Sequence, residues 1–90
     1  MNPLPLTFLD PLPIWENTVP GSAQWNDGQS SLSFICPCGC ASYIRLPIKP
    51  PQEKGWQWNG NKDKPSLTPS ILNYNCRWHG FLTDGNWITV

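Results

Sequence analysis

Two short groups of potential metal ligands constrain the fold of this chain more than any other feature. Three cysteines fall within the segment Cys36-Pro37-Cys38-Gly39-Cys40. The fourth, Cys76, comes much later and is followed three residues on by the only histidine, His79. Two separated turns that supply thiol or imidazole groups are typical of a structural zinc site. The pattern therefore predicts that residues 36–40 and 76–79 lie together in the folded chain.

More candidate ligands are present than a tetrahedral Zn²⁺ site needs. The candidates are Cys36, Cys38, Cys40, Cys76 and His79. The common C-x-x-C spacing is absent from the first group, which has C-x-C twice, so the spacing leaves open which four bind. We take all five as predicted metal ligands and Zn²⁺ as the predicted cofactor, with a structural role.

Two other uses of the thiols compete with metal binding. The four cysteines can form two disulfides in three pairings, but a bridge between near neighbours such as Cys36 and Cys38 is strained. Alternatively, one thiol is a nucleophile and His79 is its base. Spacing identifies no acidic or amide partner that orients His79, so the sequence assigns no catalytic residue.

Size and charge exclude several classes of function. Ninety residues make one small domain, whose core is marginal without a metal or disulfide. Six basic residues balance six acidic ones, and no basic cluster offers a surface for nucleic acid.

No apolar run is long enough for a membrane span, and prolines interrupt the N-terminal apolar stretch, unlike the continuous apolar region of a signal peptide. We therefore expect a protein of the reducing cytoplasm.

Proline content and local alternation favour an all-β fold. Eleven prolines argue against long helices. Polar and apolar residues alternate before Cys36, and Tyr43–Leu46 is a returning strand ended by Pro47. Asp84-Gly85 between two apolar segments predicts a type I′ hairpin. Residues 65–69 are expected to be irregular, with the hydroxyl groups of Ser66, Thr68 and Ser70 bonded to nearby backbone. The predicted fold is small and mostly β, with zinc-ribbon-like hairpins joined by the metal.

The chain divides into an extended arm at residues 1–20 and a zinc-binding β domain at residues 21–90. The arm is rich in proline and also in large apolar side chains, so we expect it to pack on its own domain or to dock on a partner.

The six tryptophans also allow two interpretations. Trp56, Trp58 and Trp78 form either an aromatic ligand platform or part of a thin core, and the core role is favoured.

Several segments together resemble a known family. They are F-I-C-P-C-G-C at residues 34–40, W-Q-W-N-G-N at 56–61, P-S-L-T-P-S-I at 65–71 and C-x-x-H-G-F-L-x-x-G at 76–85. This combination resembles small Cys/His-containing proteins of bacteriophages and prophages, some labelled "ammonia monooxygenase". Relatives also occur beside bacterial ubiquitin-like conjugation genes, where a peptidase role has been proposed. Many phage members have C-P-G-C-G at the first site and a further segment containing Asp and His after the last hairpin. The resemblance implies a metal site and a phage origin.

The resulting functional prediction is a phage-derived, non-enzymatic interaction module that binds a host or viral protein. One alternative is a thiol- or zinc-dependent peptidase that acts on a ubiquitin-like protein. Another is a minor structural component of the virion, which would place the protein in phage particles and not only in the host cytoplasm. The partner and the oligomeric state stay open at this point.

Overall fold

The computed structural model describes residues 3–26, 28–49 and 53–90, and within these ranges it contains β-strands and no helix. The prediction of an all-β fold is therefore confirmed, and no described segment is a helix able to cross a membrane. The sequence Asn26-Asp27-Gly28 also predicts a turn, but Asp27 lies outside the described residues. In chain order the strands are β1 (Leu4–Pro5), β2 (Thr7–Phe8), β3 (Ser22–Asn26), β4 (Ser31–Ile35), β5 (Tyr43–Lys49), β6 (Trp56–Trp58), β7 (Leu67–Leu72), β8 (His79–Thr83) and β9 (Asn86–Thr89).

All of these strands belong to one sheet that curls into a nearly closed barrel. The order across the sheet is β1-β9-β8-β7-β6-β5-β4-β3-β2. The two outermost strands, β1 and β2, are separated in the chain by Leu6 alone. Neighbouring strands lie about 4.8 Å apart, so a flat sheet of this order would separate its edges by about 40 Å. A single residue cannot span that distance, and the sheet must therefore curve until its edges meet.

The N-terminal segment forms the seam of this barrel. Leu4 pairs with Trp87 of β9, and Thr7 pairs with Ser22 of β3. The backbone amide of Leu12, a buried residue, donates a hydrogen bond to the side-chain carbonyl of Gln24 at 3.0 Å. Residues 3–12 thus lie against the chain's own barrel.

Large aromatic side chains fill the barrel interior. The rings of Phe34 and Trp87 lie with their centroids 4.5 Å apart, and Trp78 meets Trp87 edge-on at 6.0 Å. The indole N–H of Trp87 is buried and donates to the carbonyl oxygen of Gly21 at 2.8 Å. A small barrel gains much of its buried apolar area from a few such rings. The apolar residues packed in this core are Ala23, Leu32, Phe34, Cys36, Leu46, Ile48, Leu67, Ile71, Trp78, Leu82 and Trp87.

Two strands extend further than the sequence predicts. β5 continues through Pro47 to Lys49, and β7 begins at Leu67 inside the segment expected to be irregular. Proline is tolerated where its nitrogen is not needed in the ladder or where the strand bulges. In β7 the register shifts between Leu67 and Ile71, so the bulge accommodates Pro69. The predicted type I′ hairpin is present, because Asp84 and Gly85 both have positive φ, 49° and 75°.

Candidate metal centre and active site

The four cysteine side chains converge at one end of the barrel. Cys36, Cys38 and Cys40 lie in the turn between β4 and β5, and Cys76 lies in the turn between β7 and β8. All four sulfur atoms lie within 4.8 Å of one another. The sulfur of Cys38 lies 3.4 Å from that of Cys36 and 3.3 Å from that of Cys76, and the sulfurs of Cys36 and Cys76 are 3.6 Å apart. A tetrahedral Zn²⁺ with bonds of about 2.3 Å separates its sulfur ligands by about 3.8 Å, so the cluster has the size of a metal site.

No disulfide links these residues. All four are free thiols, and their separations exceed the bond length of about 2.05 Å in a disulfide. The alternative of two disulfides is therefore not the arrangement in this structure.

Local backbone geometry explains how three cysteines of one turn face the same point. Gly39 has φ of 95° and Ala41 has φ of 65°, and these left-handed residues reverse the chain within the turn. The backbone amide of Cys36 donates to the carbonyl of Ser42 at 2.9 Å, which closes the turn at its base. The turn thus directs its three cysteines to one point with C-x-C spacing in place of the usual C-x-x-C spacing.

Nitrogen donors surround Cys76. The side-chain amide of Asn73 donates to the Cys76 sulfur at 3.3 Å, and the backbone amide of Trp78 donates to it at 3.4 Å. Asn73 also approaches the Cys40 sulfur at 3.9 Å. Donors of this kind orient metal ligands, so these two hydrogen bonds hold the Cys76 sulfur in place within the cluster.

Without a cation, the thiols of the cluster differ in their tendency to ionise. Burial raises the pKa of Cys36, and the hydrogen bond from Asn73 partly offsets this effect. Loss of solvation, followed by hydrogen bonds with neighbouring thiols, raises the pKa of Cys38 to about 12, even though part of its side chain is exposed. A hydrogen bond with Ser42 lowers the pKa of Cys40 to about 6. Four thiolates at this distance repel one another, and a divalent cation would offset that repulsion.

His79 lies outside the cysteine cluster. The described group of metal-ligating side chains contains the four cysteines and not the imidazole. His79 is exposed on the outer face of β8, and its Nε2 atom forms a hydrogen bond with the hydroxyl oxygen of Ser70 at 2.9 Å. The predicted ligand set thus separates in space into a four-sulfur cluster and a serine–histidine pair.

The irregularity in β7 places Ser70 beside His79. β7 and β8 are antiparallel, with Leu72 opposite His79 and Ile71 opposite Gly80. Ile71 is buried while Ser70 and Leu72 lie towards the surface, as strand alternation requires. The bulge between Leu67 and Ile71 sets this orientation, and bulges commonly redirect side chains near active sites. A serine hydroxyl within hydrogen-bond distance of an imidazole is the arrangement of an activated nucleophile and its base.

A family model describing a bacterial ubiquitination-like system serine protease (BubE) matches residues 9–90 of the chain. The chain belongs to this family. The match spans the β domain and all of the residues described above as the cysteine cluster and the serine–histidine pair. Comparison with curated proteins and with solved structures gives no match.

Membership of the BubE family overturns the main functional prediction. The expected non-enzymatic interaction module is wrong, because the family is described as a protease. The alternative of a peptidase is better supported, although its expected nucleophile was a thiol or a zinc-bound water and the family description specifies serine. The family match has no bearing on a phage origin or on the "ammonia monooxygenase" label, which stay predictions.

Sequence patterns alone did not identify Ser70 as the hydrogen-bond partner of His79. The segment P-S-L-T-P-S-I stood out, but its hydroxyl groups were all expected to bond nearby backbone. The hydroxyl of Ser66 accepts the backbone amide of Asp84, in the turn between β8 and β9, at 2.8 Å. Ser70 does not share that role. Two sequence features could have indicated Ser70. It lies in a proline-containing segment of specific sequence, and the chain has one histidine.

Proposed function

We propose that this protein is a serine peptidase of a bacterial ubiquitination-like system, with Ser70 as the nucleophile and His79 as the general base. The observation that carries the proposal is the 2.9 Å hydrogen bond between the Ser70 hydroxyl and His79 Nε2. The family description supports the same class of enzyme. The substrate is then a protein of that system, such as a ubiquitin-like protein carrying a peptide or isopeptide bond at its C-terminal end.

The chemistry follows from this pair. His79 Nε2 takes the hydroxyl proton while the Ser70 oxygen attacks the carbonyl carbon of the scissile bond. The carbon–nitrogen bond then breaks, and the imidazole gives its proton to the leaving amine. Water next attacks the acyl-enzyme with the same base, which releases the carboxylic acid and returns the proton to Ser70. His79 is exposed and Ser70 is half-buried, so a protein substrate can reach the pair from the outer face of the sheet.

We infer that the four cysteines bind a structural Zn²⁺. The ligands would be Cys36, Cys38, Cys40 and Cys76, whose sulfur atoms have the number and spacing that tetrahedral zinc requires. Four protein ligands leave no position for water, so the ion would hold the turns and would take no part in bond cleavage. The reaction is accordingly assigned to Ser70 and His79.

Active-site labelling tests the assignment of the nucleophile. A fluorophosphonate probe forms a phosphorus–oxygen bond with an activated serine and releases fluoride. We expect one adduct per chain, located on Ser70 by peptide mass spectrometry. Ser70→Ala should abolish labelling, and His79→Ala should slow it by about 10²-fold or more, which is the usual contribution of a general base.

Ser66→Ala is the matched control, since Ser66 lies immediately before β7 and its hydroxyl bonds backbone and not imidazole. It should label at the rate of the unaltered protein. Cleavage of a ubiquitin-like protein with a C-terminal extension should follow the same pattern. Labelling that persists in Ser70→Ala, or that falls equally in Ser66→Ala, would contradict the proposal.

A further inference from the structure

A groove lies at the surface where the N-terminal segment, β3 and the loop after β6 meet. Its volume is about 330 Å³, near the lower end of the range of roughly 300–1,000 Å³ for ligand sites. It therefore suits a single side chain with its adjoining backbone. The lining comes from residues 8–10, 23–25 and 62–63. None of these belongs to β7 or β8, so the groove is separate from the serine–histidine pair.

Two aromatic rings form the apolar wall of the groove. Phe8, which is 38 % exposed, stacks on Trp25 with ring centroids 6.4 Å apart and an interplanar angle of 23°. The ring of Trp25 also packs on Trp58 at 4.9 Å, and its indole N–H donates to the carbonyl oxygen of Lys62 at 3.2 Å. These contacts fix the wall before any ligand arrives, so binding requires little ordering of the rings.

Two acidic residues line the same groove. Asp10 accepts a hydrogen bond from the side-chain amide of Gln24 at 3.0 Å, and the side-chain carbonyl of Gln24 accepts the backbone amide of Leu12 at 3.0 Å. The backbone amide of Asp63 donates to the side-chain carbonyl of Asn61 at 3.0 Å. Both acidic residues are exposed, and neither carboxylate forms an ion pair with any residue that the structure describes. Their negative charges are thus available to a ligand.

The charges and rings of the groove together favour one kind of cation. Lys62 supplies one positive charge against the two negative charges of Asp10 and Asp63, so the lining carries a net negative charge. The guanidinium group of arginine is planar, packs against aromatic rings and donates paired hydrogen bonds to carboxylates. An ammonium group has no planar face and forms no paired bonds of this kind.

We propose that this groove binds an arginine side chain on an exposed segment of a partner protein. The guanidinium packs against Phe8 and Trp25, and its N–H groups donate to the carboxylates of the groove. Free arginine fits less well, because its own carboxylate enters a site of net negative charge, whereas an arginine within a chain brings only its cation. The groove gives the protein a contact surface beyond the proposed catalytic pair, and its role does not depend on that pair.

Titration with short capped peptides tests this inference. Each peptide carries Arg, citrulline or Glu between pairs of glycines, and the readout is the indole N–H signals of the protein in nuclear magnetic resonance spectra. The Arg peptide should shift the Trp25 signal and bind about tenfold or more tightly than the citrulline peptide, which keeps the shape and lacks the charge. The Trp15 signal should not move, since Trp15 is exposed but lies outside the groove.

Removal of single charges tests the two carboxylates. Asp10→Asn and Asp63→Asn should each weaken binding of the Arg peptide by about threefold, as expected for one exposed charge pair. The double variant should bind it no better than the citrulline peptide. Asp10→Asn keeps a side-chain oxygen that can accept the Gln24 amide. Glu16→Gln is the matched control, because Glu16 is exposed and lies outside the groove, and it should leave the affinity unchanged.

Four results would overturn the inference. Equal affinities for the Arg and citrulline peptides would remove the role of charge, and an unchanged affinity in the double variant would remove the role of the carboxylates. Free arginine that binds as tightly as the Arg peptide would make the ligand a small guanidinium compound. Tighter binding of the Glu peptide would show that Lys62 sets the preference. None of these results bears on fluorophosphonate labelling, which judges the proposed function separately.

Discussion

Asn73 donates its side-chain amide to the sulfur of Cys76 at 3.3 Å, while its backbone amide donates to the carbonyl of Trp78 at 2.8 Å. One residue therefore both orients a candidate metal ligand and closes the turn that leads to His79. Asn73 is buried, so its polar groups depend on these partners. This turn and the three residues that follow Cys76 link the cysteine cluster to the proposed catalytic residue, His79.

Asn73→Ala should weaken metal binding and fold stability together. Loss of an outer hydrogen bond to a ligand typically reduces metal affinity by about 10- to 100-fold, and loss of a buried hydrogen-bonding residue costs about 1–3 kcal/mol. Competition with a chromogenic chelator and thermal unfolding measure the two effects. Asn75→Ala is the control, because Asn75 is exposed. Equal affinities in the two variants would refute a role for Asn73 at the site.

Single substitutions should separate the metal ligands from the catalytic base. Cys→Ser changes at positions 36, 38, 40 and 76 should each lower the zinc content of protein purified without added metal. His79→Ala should retain one equivalent, because the imidazole lies outside the sulfur cluster. Elemental analysis per chain provides the measurement. Loss of zinc in His79→Ala would restore the ligand set in which histidine replaces one of the cysteines.

Metal removal should inactivate Ser70 before the protein unfolds. The Cys76 turn carries His79 into the sheet, and structural zinc contributes directly to folding free energy. Treatment with a strong chelator under reducing conditions should lower the melting temperature and slow fluorophosphonate labelling. Labelling is measured at a temperature where circular dichroism still shows the folded sheet. An unchanged melting temperature and an unchanged labelling rate would show that the cluster holds no structural metal.

Gly80→Ala should destabilise the strand that carries His79. A Cβ atom at Gly80 would meet the carbonyl oxygen of Ile88 and would lie 2.6 Å from the ring of Trp78. Backbone on one side and a buried indole on the other leave little room to adjust, so we expect a loss of about 3 kcal/mol. Gly28→Ala, where no atom lies within 4 Å, should cost only about 1–2 kcal/mol from its left-handed conformation. Denaturant unfolding distinguishes these outcomes, and equal losses would argue against the contact at Gly80.

Trp87→Phe should show how much the hydrogen bond that crosses the seam contributes to the free energy of unfolding. The change removes the indole N–H and leaves the Gly21 carbonyl without its donor, at a cost of about 1–3 kcal/mol. Trp15→Phe, at a residue that is 92 % exposed, should change the stability by less than about 0.5 kcal/mol. The free energy of unfolding in denaturant measures both. A similar stability for the two variants would contradict the assigned role of Trp87.

The sequence predicts the local elements of this protein better than their assembly. Alternation before Cys36 and the Asp84-Gly85 turn identify β4 and the last hairpin, because both depend on neighbouring residues alone. The run of β7 through Pro69 was not predictable, since it depends on a bulge against β8. Local patterns also do not predict the closure of the sheet, because closure depends on pairing between Leu4 and Trp87.

The same distinction explains the candidate sites. Cysteine spacing predicts the sulfur cluster, because four thiols that close together have few other uses in one small chain. His79 was predicted to be a metal ligand because it lies three residues after Cys76 in the sequence. The side chain of a strand residue, however, points to one face of the sheet or to the other. Its neighbour on that face is Ser70, and only strand pairing reveals this contact.

The seam at β1 and β2 has a consequence for biosynthesis. Because β1 pairs with β9, β1 has no partner during translation until β9 has been made. Until then the apolar side chain of Leu4 lacks the contacts that β9 supplies. Contacts between segments far apart in the chain also form slowly, so barrel closure should be the late step at which this protein competes with aggregation and degradation.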